Sequence, residues 1–195
     1  MWDERYSVEQ YVYGKEPNDF LVAMTGELKK GNVLCLAEGE GRNSVYLARQ
    51  GFSATAVDSS GIGLAKARKL AEEFGVAIET VVADLADYKI DEDAWDSIVS
   101  LWCHVHQDLR KRLHGDVVAG LRTGGTFLLE AYTPGQLEFG TGGPSSREYL
   151  MDLESLKEEL DGLELLHAEE LVRDVVEGIH HTGKAAVVQV LARKP

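Results

Sequence analysis

The sequence predicts an α/β protein of three layers, with a mostly parallel central sheet and an antiparallel strand at its C-terminal end. Three observations carry that reading. Short apolar runs rich in β-branched residues alternate with helical stripes over residues 32–132. A glycine-containing loop, "AEGEGRN", joins the first strand to the first of those helices. Near the C-terminus two β-like runs follow one another across a short turn, which makes them antiparallel.

The strands are expected at "NVLCLA" (32–37), "SATAVD" (53–58), "AIETVVAD" (77–84), "WDSIVSLW" (95–102) and "GTFLLEAY" (125–132). They are short and apolar, as strands covered on both faces must be. Between them, "RNSVYLARQ" puts Val45, Leu47 and Ala48 near one helix face. "GLAKARKLAEEFG" carries Leu64, Ala67, Leu70, Ala71 and Phe74 at helical spacing and stops at Gly75. "QDLRKRLHGDVVAGL" gives the stripe Leu109, Leu113, Val117 and Leu121. Right-handed crossovers of this kind keep the strands parallel. A further helix is expected near 153–160, then the β-like runs 163–178 and 184–194, joined by "IHHTG". Residues 131–146 are rich in Gly, Pro, Ser and Thr and read as a long loop, of a length that often serves binding. Residues 1–31 read as helical and carry Trp2, Tyr6, Tyr11 and Tyr13; they are expected to form a lid segment on a single domain spanning 1–195.

A chain of 195 residues can bury one full core. Its net charge of −13 repels nucleic acid phosphates and anionic lipid, so neither is expected as a partner. No basic-then-apolar leader and no apolar run of roughly 20 residues is present, which predicts a cytoplasmic protein with Cys35 and Cys103 as free thiols. The cysteines form no CxxC pair, so no zinc site built on thiolates is expected, and His104 and His106, which could both reach one ion, have no matching ligand motif, so no metal is expected.

Ligands of open parallel sheets bind outside the C-terminal strand ends, where the glycine loop lies. Gly39 and Gly41 allow a tight turn and close approach to a ligand. A dinucleotide loop needs a third glycine and amides facing a pyrophosphate. Here Ser44 stands at the third position, and Glu38 and Glu40 would repel the phosphates. Asp58 ends the second strand at about 20 residues beyond the glycines, where a carboxylate suits a ribose diol. Asp84 ends the third strand, where it can accept from an adenine amino group. An adenosine ligand with positive charge and no phosphate fits this set: S-adenosylmethionine. Glu38 is expected to face its ammonium and Glu40 to point to water.

The segments "VLCLAEGEGRN", "AVDSS", "VVADLADY", "WDSIVSLWCH" and "GGTFLLEAYTP", in this order, resemble the class I S-adenosylmethionine-dependent methyltransferases over nearly the whole chain. The opening "WDERY" and "YVYGKEPNDFL", with "GEGRN", most resembles the small-molecule branch that includes tellurite-resistance and thiopurine methyltransferases. The resemblance implies a Rossmann-like methyltransferase fold with a seven-stranded sheet, S-adenosylmethionine as cofactor and S-adenosylhomocysteine as product. It also implies a small soft or anionic methyl acceptor, a thiol or a chalcogen oxyanion. The cofactor-binding candidates are Tyr13, Ala37, Glu38, Gly39, Gly41, Asp58, Ser59, Asp84, Leu85 and Ser100. The chain departs from the family at Cys35, where an acidic residue is usual, and at Ala37-Glu38-Gly39, where Gly-Cys-Gly is usual. Glu38 is expected to take over the missing carboxylate's role.

Methyl transfer mainly requires an aligned nucleophile and the exclusion of water, with a base only where the acceptor must lose a proton. Candidates gather at the strand ends: His104 and His106 after the fourth strand, Tyr132 after the fifth, and Arg173, His180 and His181 near the terminal hairpin. A neutral histidine can take a proton and Arg173 can hold an anionic acceptor. Two alternatives stay open: an NAD(P)-dependent oxidoreductase on a similar sheet, and a non-catalytic S-adenosylmethionine-binding protein, which Cys35 keeps in view.

Overall fold

A computed structural model describes residues 2–178 and 181–195. Seven strands form one sheet in the order β3-β2-β1-β4-β5-β7-β6. They are β1 (Asn32–Leu36), β2 (Ser53–Asp58), β3 (Glu79–Val82), β4 (Trp95–Leu101), β5 (Leu121–Tyr132), β6 (Glu164–Glu177) and β7 (His181–Arg193). The first five are parallel, and β7 is antiparallel to both β5 and β6. The expected sheet is therefore present, with its antiparallel strand inserted between β5 and β6. The strand order reverses between β1 and β4, the place where such sheets bind ligands.

Among the described residues six α-helices accompany the sheet: α1 (Trp2–Tyr6), α2 (Asp19–Met24), α3 (Arg42–Arg49), α4 (Gly61–Glu73), α5 (Gln107–Gly120) and α6 (Leu153–Glu159). Side-chain alternation along the strands sorts the core into two faces. Leu34 and Leu36 of β1 pack with Ile98, Phe127 and Leu129 against Leu113 and Val117 of α5 and Leu156 of α6. Val33 and Cys35 point the other way, with Val99 and Leu128, onto Phe20 and Leu21 of α2 and Leu47 of α3. Cys35 is fully buried in that layer and is a free thiol. An acidic side chain there would be desolvated among apolar neighbours.

Several elements differ from expectation. β5 begins at Leu121, four residues ahead of the expected 125, so Leu121 leaves the α5 stripe and pairs with Trp95 of β4. The edge strand β3 is shorter than 77–84, because β2 offers it only Thr55–Asp58 as partners and Asp84 already opens a turn through its carbonyl. Residues 2–31 are not continuously helical: α1 and α2 are separated by turns, and the amides of Val12 and Tyr13 donate to a side chain instead of to a helix. Pairing continues to Glu177 opposite His181, so β7 begins ahead of the expected 184. His181 thus belongs to β7, while His180 lies outside the described residues.

Candidate active site

A cavity of about 950 Å³ opens at the C-terminal ends of β1, β2, β3 and β4. That volume lies at the upper end of the range for small-molecule sites, roughly 300–1,000 Å³. One part of its wall is acidic. Glu38 follows β1, Asp58 ends β2 with Ser59 beside it, and Asp84 follows β3 with Leu85. The other part is aromatic, formed by Trp102, His104, Tyr149 and His181 under residues 142–146, with Tyr13 and Tyr6 from the N-terminal segment.

Glu38 explains the acidic loop. Its Oε1 accepts the backbone N–H groups of Asn43 at 3.0 Å and Ser44 at 2.6 Å, the first turn of α3. These are the orphan amides that a pyrophosphate would use in a dinucleotide site. The protein fills that place with its own carboxylate. Burial pushes the Glu38 carboxyl up to about 7, against the lowering by the Ser44 and Asn43 hydrogen bonds and by Arg42.

Asp58 is fixed by its neighbours. Oδ2 accepts from Gly39 N–H at 2.9 Å and Oδ1 from Ser60 N–H at 2.8 Å. Each oxygen keeps a further lone pair. Burial raises its pKa, opposed by those two hydrogen bonds. Asp84 Oδ1 accepts from Ala86 N–H at 2.8 Å, which shapes the turn that carries Leu85 into the wall.

The glycines make the tight turn expected of them and also admit two close neighbours. Both have left-handed φ, 62° at Gly39 and 89° at Gly41. A Cβ on Gly39 would come within 2.6 Å of Tyr6 Oη, and one on Gly41 within 2.4 Å of Ala67 Cβ. They let the N-terminal segment and α4 close on the loop, while the lining from the loop comes from Ala37, Glu38 and Glu40. Ala37 itself has φ 50°, a conformation that favours glycine.

Glu40 does not point to water. It is buried, its Oε2 accepts from Val12 N–H at 2.8 Å, and its Oε1 pairs with Lys66 Nζ. Ser100 is also displaced from the expected site: it lies within β4, paired with Leu36 and Leu129, and the lining begins one residue later at Leu101.

Of the catalytic candidates, the cavity wall includes His104 and His181 and does not include His106, Tyr132 or Arg173. His104 lies with its Nδ1 at 3.0 Å from the Trp102 carbonyl, and its Nε2 accepts the Tyr132 backbone N–H at 2.9 Å. Only the Nδ1–H tautomer satisfies both. Burial, then the neighbouring His181, holds the imidazole down to about 3. Both nitrogens are engaged, so His104 offers a ring face and no free base. His106 instead caps α5, its Nδ1 accepting Asp108 N–H at 3.4 Å. Tyr132 is buried behind Trp102 and His181, with ring centroids at 4.5 and 5.5 Å.

Arg173 is held within the protein. Its Nε and Nη2 donate to the two oxygens of the fully buried Glu130, each at 2.8 Å. Gln189 and Asn18 complete Glu130, and Asn18 also donates to Glu177 at 2.8 Å. Glu177 in turn accepts from Arg42 and from Trp102 Nε1. Two carboxylates and two guanidiniums thus neutralise one another beneath the cavity. The network also anchors Trp102, whose backbone is left-handed at φ 57°.

The lining residues absent from the sequence reading are chiefly Trp2, Arg5, Arg42, Asn43, Trp102, Cys103 and Val105. Arg42 and Asn43 stand in the quoted "GEGRN", and Trp102 to Val105 directly continue the fourth strand, so position alone could have found them. Among the described residues, no cluster of three or more side chains could hold a metal ion, and no helix is long and apolar enough to cross a membrane.

A family model described as a methyltransferase domain matches residues 33–125, the span from β1 into β5. The fold is that of the methyltransferases. Among solved structures, one from work on the conversion of a disulfide bond into a thioacetal group during echinomycin biosynthesis is 19% identical, with a TM-score of 0.78 over 99% of this chain and 90% of that one. TehB from Haemophilus influenzae is 22% identical, with a TM-score of 0.76 over 100% of this chain and 66% of that one. The [4+2]-cyclase SpnF is 18% identical, with a TM-score of 0.69 over 95% of this chain and 88% of that one. At these identities the likeness is one of fold, and the cyclase makes plain that the reaction has to be argued from the site. No curated protein sequence matches the chain.

Proposed function

We propose that this protein is an S-adenosylmethionine-dependent methyltransferase acting on a small acceptor. The observation that carries the reading is the Glu38 carboxylate on the first amides of α3, within a cavity also lined by Asp58 and Asp84. That arrangement leaves a pyrophosphate no seat and suits an adenosine with a positively charged tail. Asp58 would hold the ribose, Asp84 and Leu85 the adenine, and Glu38 the ammonium. When bound, S-adenosylmethionine supplies an electrophilic methyl group.

The chain's own residues would then orient the acceptor and exclude water. Trp102, His181, Tyr13 and Tyr149 offer a wall of ring faces. Arg173 is engaged with Glu130, Arg42 with Glu177, and His104 in both directions. A soft acceptor such as a thiol, which needs little charge recognition, suits this wall better than an oxyanion. The small-molecule branch with tellurite-resistance and thiopurine methyltransferases remains the branch we favour, on the opening segment and "GEGRN".

The test is transfer of label from methyl-labelled S-adenosylmethionine to a panel of small thiols and chalcogen oxyanions. Labelled thiol product supports the reading. Tight S-adenosylhomocysteine binding with no labelled product across the panel would replace it with a binding protein.

A further inference from the structure

Residues 2–16 span the cavity mouth. At one end Tyr6 lies against Gly39 of the glycine loop, and at the other Tyr13 packs on His181 of the hairpin, ring centroids 4.7 Å apart. Trp2, Arg5, Tyr6 and Tyr13 of this segment face the cavity. Tyr6 and Val12 are its only buried residues among those described, whereas Asn18, Phe20 and Leu21 beyond it are buried in the body of the protein. Gly14, with φ 76°, lies near the C-terminal end of the segment.

An ion pair between the buried Glu40 and the partly buried Lys66 holds the middle of this thinly anchored segment, beside the Lys15–Glu73 pair and the bond from Tyr11 Oη to the Lys66 carbonyl at 3.1 Å. Glu40 Oε2 accepts Val12 N–H at 2.8 Å and Tyr13 N–H at 3.4 Å, and Glu40 Oε1 pairs with Lys66 Nζ. An ammonium has three donors. Lys66 spends them on Glu40, on the Gln10 carbonyl at 2.6 Å and on the Val8 carbonyl at 2.9 Å. The pair therefore supplies the hydrogen-bond partners that the non-helical path of residues 8–13 lacks. A further tether holds the far end, where Asp3 accepts from Ser60 Oγ.

We propose that Glu40 and Lys66 form a latch that seats residues 2–16 over the cavity, and that ligand leaves and enters as this latch opens. Glu40 is on this account a positioning residue acting through Tyr13. The inference rests on the reading that the cavity holds S-adenosylmethionine. A segment with little buried apolar surface opens at lower free energy than the sheet beneath it. The same loop carries Glu38 and Glu40, both on the cavity wall, and Glu40 is also half of the latch, so the ligand site and the cover share one support.

The experiment uses the full chain and the variants Glu40→Gln and Lys66→Met. Hydrogen exchange read by mass spectrometry, without ligand, should show residues 2–16 losing protection in both variants while β1, β4 and β5 keep theirs. Dissociation of S-adenosylhomocysteine, followed by stopped flow, should become about ten-fold faster in each, as expected for loss of a charged hydrogen bond. The double variant should be no worse than the more affected single one, because the two residues form one unit. Unchanged protection of residues 2–16, or loosening with an unchanged dissociation rate, would overturn the proposal. So would a uniform loss of protection across the sheet, which would make Glu40 a general stabiliser. A wild-type chain that binds no S-adenosylhomocysteine would overturn the cofactor reading instead, and the ligand-free exchange pattern would still decide whether the latch exists.

Discussion

Glu38 closes the glycine loop onto the helix that follows it, its Oε1 2.6 Å from the backbone nitrogen of Ser44. Burial pushes this carboxyl up to about 7 from an ordinary 4.5. Between those values the folded chain holds a proton that the unfolded chain releases. Stability from this group is therefore largest below pH 4.5, declines through the window, and levels off above about 7. Glu38→Gln keeps an acceptor for the two amides and removes the buried charge. The ligand-free variant should melt above the parent at pH 8, and the gap should narrow at pH 5. Calorimetric scans at the two values check this; a gap that does not depend on pH would contradict it.

Asp58→Asn removes one of the two acceptor oxygens that Gly39 and Ser60 use. Leaving a buried amide without its partner costs about 1–3 kcal/mol, a loss a full domain survives. The affinity for S-adenosylhomocysteine should fall by well over an order of magnitude. Isothermal titration of the folded variant measures it, and an affinity equal to the parent's would remove Asp58 from the site.

Arg173 was a candidate for acceptor binding, and its geometry predicts a structural phenotype. Arg173→Met leaves the fully buried Glu130 without its guanidinium. Breaking a buried pair on one side typically costs about 3–5 kcal/mol. Urea unfolding should register that loss. A variant of parental stability with weakened acceptor binding would restore the original role.

His104 should stay neutral through the physiological range, since burial and His181 hold it near a pKa of about 3. The folded chain then lacks a proton that the unfolded chain gains below 6.5, so this group stabilises the fold above pH 6.5 and that contribution is lost as the pH falls toward 3. Nitrogen NMR of the imidazole should report the Nδ1–H tautomer unchanged from pH 8 to pH 5. A titration near 6.5 would show that the ring is free to act as a base.

Local pattern made most of the fold legible. The apolar runs of β1, β2 and β4 and the stripes of α4 and α5 are short-range signals, and the ends of β2 and α3 fall within a residue of expectation. The loops at the strand ends also brought Glu38, Asp58, Ser59, Asp84 and Leu85 to one cavity, because their place follows from topology. What the sequence hid depends on partners far apart along the chain. Asn18 meets Glu130 and Glu177 across 112 and 159 residues, and Arg173 meets Glu130 across 43. No local pattern announces that a charged side chain is already taken. The same holds for Glu40, whose partners Val12 and Lys66 lie 28 and 26 residues away.

The most direct measurement is the melting temperature of the full chain with S-adenosylhomocysteine and, separately, with NADH. A ligand at a hundred times its dissociation constant adds about 2.7 kcal/mol of stability, a clear rise in melting temperature. The account predicts that rise with S-adenosylhomocysteine and none with NADH. A rise with NADH alone would mean that a pyrophosphate finds a seat despite Glu38, and would contradict it.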